Sequence, residues 1–291
     1  LLTGCGRVPE PQQHGLKQVA LNLPSLPRDD LGREIKLSAA PRRIVTIGPG
    51  ATETIFALGA GERVVGRDSG SDYPPDKVKR VPIVANFTGP FFEKTAAVRP
   101  DFIIVQGETY DKTRADLWQQ KCGAPVAVLS ASKVAEVAQG IEKIGAWLHM
   151  HEAAKRMANE LMGLGLPAYQ SSAFFEVQRS PLWTAGSGTL IDDVMRQAGF
   201  HNVARDIKGY KQYNLESLIT RNPEFYIMAQ KQPNATRALN ELRRKPILKD
   251  LQCVRRGFVI VMPADLVLRP GPRLGRGIRM LREEIGMPEN P

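Results

Sequence analysis

From residue 42 onward, short apolar runs alternate with stretches of helical spacing. RRIVTIG (42–48) is a β-branched run ending in Gly-Pro-Gly, and ATETIFALGAG (51–61) follows with helical periodicity and a glycine stop. RVVGRD (63–68) and VPIV (81–84) read as strands. Helix 91–98, strand DFIIVQ (101–106), helix 111–122 and strand PVAVLS (125–130) come next. Ahead of them, DLGREIKL (30–37) alternates polar and apolar residues and predicts a short hairpin. After Pro167 the alternation restarts. Strand AFFEV (173–177) leads through a Gly-rich turn into helix 189–200, then helix 214–221, strand EFYIMA (224–229), helix 235–246, strand GFVIVMP (257–263) and helix 271–286. Strands alternating with helices predict an α/β fold of two lobes, each a mostly parallel sheet flanked by helices.

Between the two halves lies SKVAEVAQGIEKIGAWLHMHEAAKRMANELMGL (132–164). Val134, Val137, Ile141, Ile144 and Leu148 recur at intervals of three and four, one face of an amphipathic helix. Continued through Met157 and Leu161, the pattern predicts a single strut about 50 Å long at 1.5 Å per residue. The expected organisation is a tether over 1–29, one lobe over 30–130, a long linking helix over 131–166 and a second lobe over 167–291.

The lobes share a phrase. FEKTAAVRPDFIIV (92–105) and LESLITRNPEFYIM (215–228) both run apolar–Glu, then six residues, then Pro, an acid and Phe. Pro100 and Pro223 disfavour helix at the residue before them and so mark the turn from helix to strand. The repeat also places Glu93 and Glu216 at the same point of each unit, 123 positions apart. Either acid suits the positive end of a helix dipole.

Composition narrows the reading. The 291 residues are 42% apolar and 24% charged, ordinary for a folded chain with room for two cores. Lys plus Arg minus Asp plus Glu is 40 − 30 = +10, which suits an acidic partner, an anionic surface or an anionic ligand. Zinc-finger spacing, RNP-like aromatic strands and a recognition-helix signature are all missing, so nucleic acid is not expected. Neither GPGATE nor GSGT is followed by GK[ST], and there is no GxSxG or HExxH, so no enzyme is expected. His14 falls in the tether, and His149 and His151 stand two apart, off a common helix face. With His201 they are the only histidines, a poor set for direct capture of a metal ion. Cys122 and Cys253 fall in different lobes and are expected to be free, buried thiols. LTGC (2–5) looks like the end of a bacterial lipoprotein signal, with Cys5 as the lipidated residue, and residues 6–28 read as an exposed linker.

RRIVTIGPGATETIFALGAGERVVG, SDYPP (71–75), FTGPFFEKTAAVRPDFIIV, SPLWTAGSGTLIDDVMRQAGF (180–200) and YNLESLITRNPEFYIM together resemble the substrate-binding proteins of ABC importers for vitamin B12, iron-siderophores and haem. The similarity runs in order over about residues 30–286. It implies two α/β lobes joined by one backbone helix, with the ligand in the cleft between them. It also implies that Glu93 and Glu216 dock against basic pockets of a membrane permease, itself served by an ATPase. The expected protein is a monomer in the cell envelope, periplasmic or on the outer face of the cytoplasmic membrane, held by lipid on Cys5.

Ligands of parallel sheets bind beyond the carboxyl ends of the strands. Those ends supply Pro49 and Gly50, Asp68, Phe87, Glu108 and Tyr110 in the first lobe, and Trp183, Tyr210, Tyr213 and Arg269 in the second. Aromatic planes and an arginine suit a flat, bulky, partly polar chelate. In relatives, the positions of Phe87 and Trp183 carry aromatic residues. The resemblance leaves cobalamin (favoured), a ferric siderophore or haem as the bound ligand. B12-binding relatives often carry an aromatic residue where this chain has Gly70, and haem would draw its axial ligand from Tyr110 or Tyr213. Phe102, Phe174 and Phe258 lie within strands and are expected in the core.

Overall fold

The computed structural model describes residues 26–86, 88–167 and 171–286, so Cys5, His14 and Phe87 lie outside the described residues. Lobe one contains β1 (Ile44–Ile47), α1 (Pro49–Ala57), β2 (Val64–Asp68), α2 (Pro75–Val78), β3 (Ile83–Asn86), β4 (Gly89–Pro90), α3 (Phe92–Ala97), β5 (Phe102–Gln106), α4 (Lys112–Cys122) and β6 (Val126–Leu129). Its sheet has the order β4-β3-β2-β1-β5-β6 and is parallel except for the β3–β4 pair. Strand β1 in the middle of the sheet and β6 at its end are buried at every position, as near-continuous apolar runs require when helices cover both faces.

Lobe two contains β7 (Ser171–Gln178), β8 (Trp183–Ala185), α7 (Leu190–Gln197), β9 (Phe200–Asn202), β10 (Tyr210–Gln212), α8 (Leu215–Arg221), β11 (Phe225–Gln230), α9 (Ala235–Arg243), α10 (Gln252–Arg256), β12 (Val259–Pro263), α11 (Ala264–Val267) and α12 (Leu274–Glu284). Its order is β10-β8-β7-β11-β12, with β9 also on β7. Strands β7, β9, β11 and β12 pair in parallel, while β8 and β10 form an antiparallel ribbon along the edge. The mixed sheet comes from β8 and β10, three residues each and too short to show a period of two.

The linking segment is shorter than its periodicity predicts. Helix α5 (Val134–Trp147) spans only about 21 Å. The chain then turns, and a second helix, α6 (His151–Met162), packs back on the first. His149 takes a left-handed conformation (φ 59°), and the Met150 amide donates to the Gly145 carbonyl at 2.7 Å, a helix-ending arrangement. Gly145 sits so close to Ala154 that a Cβ there would collide with it. The first of these helices bridges the lobes. Val134 N–H donates to the Asp193 carboxylate of α7 at 2.8 Å, while Trp147 meets Phe102 of β5 edge-on at 5.6 Å. One apolar cluster runs from Ile44 and Phe102 through Ile141 and Trp147 to Phe175 and Ile260, so the lobes share a core.

Three further expectations change. Residues 30–37 form no hairpin. The buried Asp29 carboxylate instead collects the amides of Leu31, Arg33 and Val128 and the Arg33 guanidinium, while Asp30 N–H donates to Val128 O, so the segment is fastened to β6 and not folded on itself. Pro27, expected in the tether, accepts from the Trp147 indole at 3.1 Å and so packs on the folded chain. Phe258 precedes β12, is 45% exposed, and stacks on Phe225 at 5.4 Å. Phe102 and Phe174 are core residues, and Cys122 and Cys253 are free and buried, as expected. Burial raises both thiols, Cys253 to about 12.

Candidate functional site

The carboxyl ends of both sheets face one another, and their loops divide into a closed floor and a more open rim. The floor is built where the N-terminus of α1 meets the turn between α11 and α12. Gly50 has no room for a side chain, because a Cβ would overlap the Pro270 carbonyl. Gln106 fastens this contact, accepting from Ala51 N–H and donating to Pro270 O, both at 2.8 Å. Beside it, the almost fully buried Glu53 accepts from Arg273 (2.6 and 2.9 Å) and Arg269 (3.3 Å). Arg269 also pairs with Asp72 and Asp265, each at 2.7 Å, and the Arg273 guanidinium lies 3.6 Å over the Tyr73 ring. Burial alone raises Asp72, but the hydrogen bond and charge of Arg269 outweigh it and leave the carboxyl below its ordinary range.

Asp68, Pro49, Gly50 and Arg269 therefore belong to the floor. Asp68 is buried and accepts from the amides of Gly48 and Gly70, each at 3.2 Å, and from the Ser71 hydroxyl. It holds the loop at the end of β2 against the start of α1. The expected ligand arginine, Arg269, is already shared among three carboxylates. Sequence reading missed its partners Glu53 and Asp72, 216 and 197 positions away, and Asp265, four positions away, as well as Arg273, which shares Glu53 with it.

The rim presents the aromatic surface. Trp183 pairs with Gln212 and Tyr210 with Ala185 across the β8–β10 ribbon, so Trp183 and Tyr210 lie on the same face. They are 36% and 41% exposed. Desolvation and the charge of Glu108, in the opposite lobe, push the Tyr210 phenol up to about 12. Glu108 is itself raised, by burial and then by Glu136, and both line a cavity of about 450 Å³ with Asp30 and Ser132. Tyr110 and Tyr213 are not on this surface. Tyr110 packs edge-on against Trp118 at 5.2 Å, and Tyr213 tilts against Phe174 in the core of lobe two. Loop position misled there: Tyr213 stands just before Asn214, the N-cap of α8, and its backbone N–H donates to Leu182 O at 2.8 Å, which draws the ring inward.

Glu93 and Glu216 occupy matching places, in the exposed first turns of α3 and α8. Neither carboxylate has an ion-pair partner among the described residues. No three His, Cys, Asp or Glu side chains converge to hold a metal ion, and no helix is long and apolar enough to cross a membrane, among the described residues.

The description "Periplasmic binding protein" is that of a family matching residues 44–266, from β1 to α11. A Bacillus subtilis protein described as the uncharacterized ABC transporter substrate-binding lipoprotein YvrC is 27% identical over 299 residues, covering 98% of this chain and 93% of its own. The vitamin B12-binding protein of Salmonella choleraesuis is 30% identical over 204 residues, 67% of this chain and 74% of its own. Among solved structures, the periplasmic heme-binding protein RhuT of Roseiflexus sp. RS-1, in apo form, aligns with a TM-score of 0.73. It is 25% identical and covers 84% of this chain and 97% of its own.

Proposed function

From the premise that this chain belongs to the periplasmic binding protein family and is a substrate-binding protein of an ABC transporter, we propose that its cleft captures a flat metal chelate, a corrinoid such as cobalamin before the others. The observation that carries this reading is the shared face of Trp183 and Tyr210, both partly exposed, with the Tyr210 phenol within reach of the charge of Glu108 in the other lobe. Aromatic planes of that kind bury a large, flat ligand while losing little side-chain freedom. The similarity to vitamin B12-binding proteins points the same way.

Haem or a ferric siderophore is the alternative within the same architecture, and RhuT is a relative on that side. Two features favour the corrinoid. Tyr110 and Tyr213, the candidate axial ligands for haem, are buried. Arg269 is occupied by carboxylates of the floor, which leaves it poorly placed to meet propionates or a siderophore's acids.

Capture needs no bond to form or break. The loaded protein then presents Glu93 and Glu216 to the permease, whose ATPase drives import. Two carboxylates at fixed separation on rigid helices give steering and orientation toward a basic partner, and they stand out on a chain of charge +10. The protein works as a monomer outside the cytoplasmic membrane, anchored by lipid on Cys5.

Mixing the purified chain with cyanocobalamin, a ferric siderophore or haemin and recording absorbance tests the ligand reading. A saturable spectral change with cyanocobalamin is expected. Saturation by haemin alone overturns the corrinoid preference. Glu93→Lys with Glu216→Lys should abolish transport and leave ligand affinity unchanged, and loss of ligand binding in that variant would remove the docking assignment.

A further inference from the structure

The lobes meet in two ways. Around α5 the contact is apolar: the cluster that holds Phe102, Ile141, Trp147 and Phe175 continues from one lobe into the other. At the floor it is polar and close. Gly50 lies against Pro270 and Gly271, and neither glycine has room for a Cβ. Three carboxylates (Glu53, Asp72 and Asp265) meet the guanidiniums of Arg269 and Arg273 there, and the charge of Lys231 is felt at Asp72. Asp265 belongs to the arginines' own lobe, 2.7 Å from Arg269 and 3.9 Å from Arg273. When the lobes part, both arginines keep that partner and the Glu53 carboxylate regains water, so no buried charge is left unpaired. A contact partnered in this way can open and close. In lobe two the floor follows β12, whereas Trp183 and Tyr210 stand on β8 and β10, at the other end of the strand order. Strand spacing of about 4.8 Å separates the two by about 14–19 Å. Any tilt of lobe two that the floor permits is magnified over that span.

We propose that the floor is an interlobe latch and that Glu53 is a positioning residue for ligand capture. Glu53 is 3% exposed and its oxygens are taken by arginines of the other lobe, so it acts through the spacing of the lobes and not by touching the ligand. Gln106 adds the second strand of the latch, from β5 of lobe one to the Pro270 carbonyl. Latched, the floor holds the Trp183–Tyr210 face against the lobe that carries Glu108. Unlatched, that face tilts away and the chelate leaves. The inference rests on the cleft being the ligand site, and it adds what sets the cleft's width. Holding binding groups at a fixed spacing lowers the cost of ordering them on binding, which is how a residue remote from the ligand acts on affinity.

The test uses the full chain with two spin labels, on Lys112→Cys in lobe one and Thr236→Cys in lobe two, both exposed positions. The native thiols Cys122 and Cys253 are buried and weakly acidic, so they react slowly with the label. Pulsed EPR gives the interlobe distance distribution of the parent, Glu53→Gln and Gly50→Ala. Glu53→Gln releases the latch and should broaden the distribution toward longer distances. Gly50→Ala drives a methyl against the Pro270 carbonyl and should shift the whole distribution outward. It keeps every charge of the floor, and alanine favours helix over glycine, so it answers even if Glu53→Gln does not fold. Cyanocobalamin should leave both variants about 10-fold faster or more, with its association rate little changed. If both distributions match the parent, the latch is overturned. If they move and the dissociation rate does not, the positioning role of Glu53 is overturned. If the parent binds haemin and not cyanocobalamin, the corrinoid reading falls, and haemin dissociation from the same variants decides this inference.

Discussion

The units α3–β5 and α8–β11 run a helix into a core strand by the same device, yet the acids within each unit do opposite work. Before each proline stands a residue with left-handed backbone, Arg99 (φ 44°) and Asn222 (φ 42°). After each proline stands an acid that fastens the neighbouring strand. Asp101 accepts from the amides of Arg42 and Arg43 at 2.8 and 2.9 Å, at the start of β1. Glu224 accepts from the amide and hydroxyl of Ser172 at 2.7 and 3.0 Å, at the start of β7. The acids at the head of each helix, Glu93 and Glu216, have no such partner among the described residues. One repeated phrase thus holds a structural acid and a free one. The corners also differ in support: Arg43 donates to the Val98 and Arg99 carbonyls in lobe one, whereas Gln252 of α10 holds Asn222 in lobe two.

The sharpest test extends the contrast from acids that fasten strands to one that fastens lobes. Glu53→Gln leaves Arg273 and part of Arg269 without their carboxylate at a nearly closed contact. Removing one member of a buried charged pair costs about 3–5 kcal/mol, so a large fall in the urea midpoint is expected. An unchanged midpoint would mean that the floor is held by Gln106 and packing alone. Next come Asp101→Ala and Glu224→Ala, each losing two hydrogen bonds to a charged acceptor and expected to cost about 1.5–3 kcal/mol. Glu93→Ala and Glu216→Ala should stay within about 0.5 kcal/mol of the parent in the same denaturation experiment. If the two sets overlap, the division into structural and free acids fails.

The smallest effect concerns pH. Asp72 is held below its ordinary value of 3.8 in the folded protein, because Arg269 outweighs the effect of burial. The unfolded chain therefore binds the proton more readily, and the stabilisation is present above that value and lost as pH falls through the lower folded one. Asp72 is 46% exposed at its side chain, so solvent screening limits the pair to about 1 kcal/mol or less. Asp72→Asn should lower stability slightly near neutrality and match the parent once the pH has fallen through the lowered folded value.

The legibility of this molecule follows from range. Strands β1, β2, β5, β6, β7, β11 and β12 were evident because parallel strands covered on both faces are continuous apolar runs. The ribbon β8–β10 was not, since three-residue strands carry no period, and yet it bears Trp183 and Tyr210. The linking helix was read too long because a break by left-handed His149, with Gly145 against Ala154, leaves the spacing of apolar residues intact across the turn. Loop position suggested that Tyr110 and Tyr213 face the cleft, but loops beside a sheet also turn aromatic rings into the core.

By itself the sequence determined the two α/β lobes, the prolines that turn helix into strand, the matching glutamates and the separation of the two thiols. Local propensity and periodicity act over a few residues, and each of these features is written within such a span. The tertiary structure alone decided that Arg269 serves the floor, that Glu53 sits beneath two arginines from the other lobe, and that a cavity opens beside Glu216. Those depend on groups up to 220 positions apart being brought within 3 Å, where charge and close packing, not sequence proximity, choose the partner.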